Sequence, residues 1–153
     1  MQRFSFGSLR GYIVTGLFVA LSQPFCLGNA QPNEGKNQVA VREFNATAAL
    51  QNSGFYDRSA VMWKTFLTKY PQDERVDRVT YYLGICQLHL KQYPEAAVSF
   101  KSMLTKYPQF KNKDGAQYNL AMALYELGLV SKKPEDLKKA AAAFAIVSGK
   151  YPK

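Results

Sequence analysis

Phe66–Pro71 reads FLTKYP, Met103–Pro108 reads MLTKYP, and Val147–Pro152 reads VSGKYP. The first two lie 37 residues apart. Recurrence at such a period marks a chain built from repeated supersecondary units. Under the same shift Tyr56, Ala60 and Leu67 meet Tyr93, Ala97 and Leu104, and Trp63 meets Phe100. A step of 44 residues brings Ala140, Ala141 and Phe144 onto Ala96, Ala97 and Phe100. The seven extra residues fit the turn-rich stretch GLVSKKPED, Gly128–Asp136, where an inserted loop is tolerated.

A second apolar pattern precedes each copy. Val79, Tyr82, Leu83, Cys86 and Leu90 recur at helical steps, as do Ala116, Leu120, Ala123, Leu124 and Leu127. Gln38–Gly54 is a weaker version. Gly54 and Gly128 suit helix endings, and each Tyr-Pro suits the next one. Six helices are predicted, at 38–53, 56–70, 75–91, 94–107, 113–128 and 135–151, paired as repeats 38–73, 75–110 and 113–152. The fold class is all-α, a solenoid of three helix–turn–helix units.

Leu83, Gly84, Ala96, Phe100 and Pro108 carry a specific resemblance. Their spacing resembles that of the tetratricopeptide repeat. Thr47, Ser59, Trp63 and Pro71 take those places in the first unit, and Ala121, Ala140, Phe144 and Pro152 in the third. The middle unit departs at Thr80 and Gln87, where the family has Trp and Tyr. The resemblance implies a right-handed superhelix of antiparallel pairs over 38–153, with no catalytic function. The Lys-Tyr-Pro endings, the long step and YYLG also resemble the bacterial-envelope members of the family. Among those are the Tol–Pal-associated division coordinator and the lipoprotein of outer-membrane assembly. The coordinator carries a coiled coil where this sequence has only Gln31–Asn37, and the lipoprotein is lipidated and has more repeats.

The first 30 residues read as a signal peptide. Arg3 and Arg10 precede an apolar core, Tyr12–Leu21, and Gly28 and Ala30 suit the cleavage site. The core is too short for a membrane span, which needs about 20 apolar residues. Cys26 follows Gln23-Pro24-Phe25, which does not suit lipidation. Cleavage after Ala30 leaves 123 residues, with 31–37 expected as a disordered leader. Loss of Arg3 and Arg10 from the 20 bases leaves 18 against 11 acids, a net charge of +7. Export to the periplasm is expected, and export disfavours nucleic acid as a partner. Lys64, Lys69, Lys101, Lys106, Lys111, Lys113, Lys138, Lys139 and Lys150 lie on or just after the second helices. They are expected as a solvated face, with loose attraction to an anionic envelope surface as the functional alternative.

Cys86 and His89 are the one cysteine–histidine pair on a helix. Two ligands do not make a zinc site, and no phosphate loop or nucleophile elbow is present. No enzyme activity, cofactor or metal is expected. The residues that point to function are Phe44, Tyr81 and Tyr118, spaced 37 apart on the first helices. In the family this position faces the concave groove. Ala48, Ile85 and Met122 stand one turn further on, and Gln51, Leu88 and Tyr125 follow. Arg78 stands three residues before Tyr81. The expected site is an apolar, aromatic groove for a protein or peptide segment. It lacks the basic clamp with which chaperone-binding members hold a carboxylate. The last helix carries no polar cap in the sequence, so homo- or hetero-oligomer formation through that end is a further expectation.

Overall fold

A computed structural model describes residues 32–150. The expected signal peptide, its cleavage point and the final Tyr-Pro lie outside the described residues. Six helices follow one another: α1 (Pro32–Asn52), α2 (Tyr56–Lys69), α3 (Val76–His89), α4 (Tyr93–Lys106), α5 (Lys113–Ser131) and α6 (Pro134–Lys150). Each packs on the next, and α3 also touches α5. The connections are short, so successive helices reverse direction and stack as three pairs. The architecture is an all-α helical-repeat solenoid.

The recurrent Lys-Tyr-Pro ends its helix by local sterics. A residue before proline is pushed out of the α region. Tyr70 sits at φ −130°, ψ 58°, and Tyr107 at φ −121°, ψ 68°. Each still donates its N–H to the last turn, Tyr70 to Phe66 O at 2.8 Å and Tyr107 to Met103 O at 2.9 Å. Their own carbonyls then accept from Asp73 and Phe110. One tripeptide thus builds the same corner twice.

The first helices end differently. Gly54 takes φ +83°, with Gly54 N–H bonded to Gln51 O and Phe55 N–H to Leu50 O. Those two bonds form a Schellman motif. Lys91 stands 37 residues on at φ +59°, and there Lys91 N–H bonds to Leu88 O and Gln92 N–H to Gln87 O. Gly128 holds the third such position, and there the expected stop fails. Helix α5 runs on to Ser131, and Lys132 takes the positive φ instead. The insertion is therefore helix rather than loop. Helix α5 runs five residues past the counterpart of His89, and α6 starts three residues before the counterpart of Tyr93. Gly128 serves packing: a Cβ there would lie 2.6 Å from Leu137 Cδ2.

Trp63 and Phe100, equivalent in the repeat, are both fully buried. Around Trp63 gather Phe44, Phe66, Val79, Leu83 and Cys86; around Phe100 gather Ala96, Met103, Ala116 and Ala123. Gly84 lets Phe100 in, since a Cβ there would meet its ring at 2.8 Å. The middle unit's departures are satisfied locally. Thr80 Oγ1 donates to Val76 O at 2.7 Å, and Ser99 Oγ donates to Gln87 Oε1 at 2.7 Å.

Residues 32–37 of the expected disordered leader are instead the first turns of α1. Pro32 opens the helix, where its missing N–H costs nothing and its fixed φ is already helical. One turn on, Asn37 Oδ1 accepts from Arg75 Nη2 at 3.1 Å. Arg75 is buried and bound twice more by Asp73, through Nε at 2.7 Å and Nη2 at 2.6 Å. This ties the leader to the start of α3.

Candidate functional site

The three residues of the aromatic ladder share a register but not an environment. Phe44 is 9% exposed, Tyr81 is half-buried, and Tyr118 is 48% exposed. The expected groove position of Phe44 is corrected by its neighbours. Its ring packs on Trp63, Phe66 and Tyr82 at centroid distances of 5.2, 6.2 and 6.1 Å. Two guanidinium groups cover it, Arg78 at 5.3 Å and Arg75 at 5.9 Å. Phe44 is core because the Trp63 side chain draws the first pair together around it. Arg78 is exposed and serves as its lid, and Ala48 packs half-buried on the same cluster. Gln51 is also spent inside, where its Oε1 accepts from Trp63 Nε1 at 2.7 Å and from Cys86 Sγ at 3.2 Å.

Tyr81 is held from several sides. Its hydroxyl accepts from Asn112 Nδ2 at 3.1 Å and from Asn119 Nδ2 at 3.2 Å. Its ring meets Phe100 and Phe110 at 5.8 and 5.4 Å. Burial pushes its phenol above the usual range.

The open part of the face lies between α3, α4 and α5. A cavity of about 350 Å³ is lined there by Ile85, Leu88, His89, Tyr93, Tyr118, Asn119, Met122 and Glu126. That size is within the range of small ligand sites. Four of the expected residues meet in it: Ile85, Leu88, Tyr118 and Met122. Tyr125 is 41% exposed and is not part of the lining. Tyr118 rests edge-on against Phe144 of α6 at 6.0 Å, which steadies the ring while leaving one side open.

His89, Tyr93, Asn119 and Glu126 were not expected in the site. A signal for two of them was present in the repeat. Glu126 is the counterpart of His89, and Tyr93 that of Tyr56. Tyr56 stacks flat on His89, 3.9 Å between centroids. The same relation one unit later brings Tyr93 beside Glu126. Burial first, and then the Glu126 carboxylate, push the Tyr93 phenol up.

Cys86 and His89 serve separate ends. Cys86 is fully buried against Gln51, and burial pushes its thiol up to about 12. Among the expected lysines, Lys69 donates to Glu43 and lies 5.1 Å from the Tyr70 ring centroid, while Lys139 donates to Asp136 at 3.0 Å. A second hollow of about 350 Å³, between α2, α3 and α4, is lined by Leu67, Val76, Leu83, Val98 and Lys106 among others.

The family description for the tetratricopeptide repeat matches residues 79–109 and 115–153. Each of the two stretches is similar to one tetratricopeptide repeat. The first spans nearly all of α3 and α4, the second most of α5 and all of α6. The cavity between α3, α4 and α5 therefore lies where the two repeats meet. Helices α1 and α2 precede the matched residues, and they share the Tyr-Pro corner and the Schellman ending. Tetratricopeptide repeats are scaffolds for protein–protein interaction. No curated protein matches the chain.

Proposed function

We propose that the protein is an exported, non-catalytic tetratricopeptide repeat scaffold of the bacterial cell envelope. It binds an extended or helical segment of a partner across the concave face of α3 and α5. One observation carries this reading: the cavity at the junction of the two repeats has an apolar floor and an aromatic residue, Tyr118, standing 48% exposed at its side. Exposed aromatics beside a preformed pocket are the usual anchors of an interface. The N-terminal Arg3, Arg10 and Tyr12–Leu21 pattern supports export. The buried, neutral thiol of Cys86 supports a non-catalytic role, since the nucleophile is the thiolate.

The test is photocrosslinking from position 118 in cells, with fractionation and N-terminal sequencing of the product. A discrete crosslinked partner and a mature chain starting at Gln31 support the reading. Crosslinks absent at 118 but present on the outer helices overturn the groove; an intact Met1 overturns cleavage.

A second reading is favoured by the last pair. Leu129, Val130, Leu137 and Ile146 are 49%, 68%, 39% and 47% exposed. A structural subunit of an envelope assembly, completed by stacking on another chain, would cover them. Light scattering over a concentration series separates the readings, since a strictly monomeric, heat-resistant protein opposes the second.

A further inference from the structure

We infer that the cavity between α3, α4 and α5 receives an arginine side chain of the bound segment. This rests on the groove reading above and assigns the chemistry of its pocket.

The argument starts from charge. The chain has 20 Lys and Arg against 11 Asp and Glu, yet among the described residues the cavity is lined by no lysine or arginine and by one carboxylate, Glu126. Glu126 is only partly exposed and lies on α5 one turn beyond Met122. A cation that reaches this carboxylate forms a charge-assisted hydrogen bond with it.

The remaining lining suits the rest of an arginine. Ile85, Leu88 and Met122 offer apolar surface to a three-methylene stem. Tyr93 and Tyr118 offer rings on which a planar guanidinium stacks. Asn119 has its amide nitrogen committed to Tyr81 at 3.2 Å, so its oxygen remains an acceptor. The Tyr93 phenol, pushed up by burial and by Glu126, stays protonated and neutral. Guanidinium is favoured over ammonium because it is planar, carries five donors and is the more weakly hydrated of the two.

In the same register the preceding junction is built differently. At the preceding junction the counterpart of Glu126 is His89, and its ring is covered by Tyr56 at 3.9 Å. The counterpart of Tyr118 there is Tyr81, which is pinned by two asparagines.

The test uses the protein with carbon-13-labelled methionine methyls and three small probes: N-acetyl-arginine amide, N-acetyl-citrulline amide and N-acetyl-leucine amide. Citrulline keeps the shape of arginine and removes the charge. The expected result is a saturable shift of the Met122 signal with the arginine amide, with Met62 and Met103 unmoved. The citrulline amide should bind at least about fivefold more weakly, and Glu126→Gln should erase that preference. Equal binding of arginine and citrulline amides overturns the inference. Preference for the leucine amide overturns it too, while leaving an apolar groove standing. If no probe moves Met122 the inference fails, and the groove reading is then decided by crosslinking at Tyr118.

Discussion

The ring of Tyr56 lies on the imidazole of His89 with 2° between their planes. Tyr56 opens α2 and His89 closes α3, so this contact joins the first helix pair to the next. Stacked aromatic pairs contribute about 1 kcal/mol beyond their area. A double-mutant cycle with Tyr56→Leu and His89→Leu should therefore return a coupling of about 1 kcal/mol in urea unfolding. Additive effects would show that the two rings are neighbours without mutual stabilisation.

Lys91 occupies the left-handed place that Gly54 fills one repeat earlier, at φ +59° against +83°. A side chain costs about 1 kcal/mol in that region. Lys91→Gly is expected to raise stability by up to about 1 kcal/mol, and Gly54→Ala to lower it by a similar amount. Thermal melts of both variants check the pair of opposite signs.

Two glycines are kept for close approach rather than for turning. At Gly84 a Cβ would meet the Phe100 ring at 2.8 Å, and Phe100 is fully buried with no room to retreat. At Gly128 the two nearest atoms belong to the side chain of Leu137, which is 39% exposed, and the third is its backbone N at 3.1 Å. Gly84→Ala should cost about 2 kcal/mol by overpacking. Gly128→Ala should cost less, because the Leu137 side chain can turn outward and its backbone N has to give only slightly. Equal losses in denaturant unfolding would contradict this ranking.

These glycines also show how far the sequence was readable. The six helices and their pairing were visible because proline and apolar period act locally: α2, α3, α4 and α6 lie within two residues of expectation at either end. Gly84 and Phe100 were both marked by the family spacing, and their close approach shows only in the fold. The role of Gly128 was not, since a glycine that stops a helix and one that admits a neighbour look alike until Leu137 is placed. Phe44 was misread for the same reason. Equal spacing with Tyr81 and Tyr118 says that three residues share a face, but Trp63, Arg75 and Arg78 decide which of them stays open. Glu126 and Tyr93 were missed because they lie on different helices and meet only once the pairs stack.

Asp73 and Arg75 predict an acid limb in the stability profile. The two hydrogen bonds from the Arg75 side chain hold the Asp73 carboxyl below its ordinary range. A carboxyl lowered in the folded state stabilises it above the unfolded pKa, and that contribution fades as pH falls through the folded value. Stability should thus drop below about pH 4, where an unfolded aspartate begins to bind its proton. Asp73→Ala should remove about 3 kcal/mol at neutral pH, because Arg75 is left buried without its partner. The variant should also lose part of the wild-type slope between about pH 4 and pH 2 in chemical-denaturation series. An unchanged slope would assign the acid limb to other groups.

Tyr81 and Tyr118 are one repeat apart, and the structure gives them opposite roles. Tyr81 is half-buried among Phe100, Phe110 and two asparagines, so Tyr81→Ala leaves a cavity and frees the amides of Asn112 and Asn119. A loss of about 3 kcal/mol is expected. Its effect on partner binding would then follow from damage to the fold. Tyr118 is 48% exposed and touches Phe144 by one edge. Tyr118→Ala should change stability by under about 1 kcal/mol and weaken partner binding by about 2 kcal/mol or more if Tyr118 is the anchor. Tyr118→Phe separates ring from hydroxyl, since a ring that works by packing and stacking tolerates the loss of its oxygen. Melting curves and binding measurements on the same three variants supply the comparison. A Tyr118→Ala protein that is stable and still binds its partner in full would remove Tyr118 from the interface.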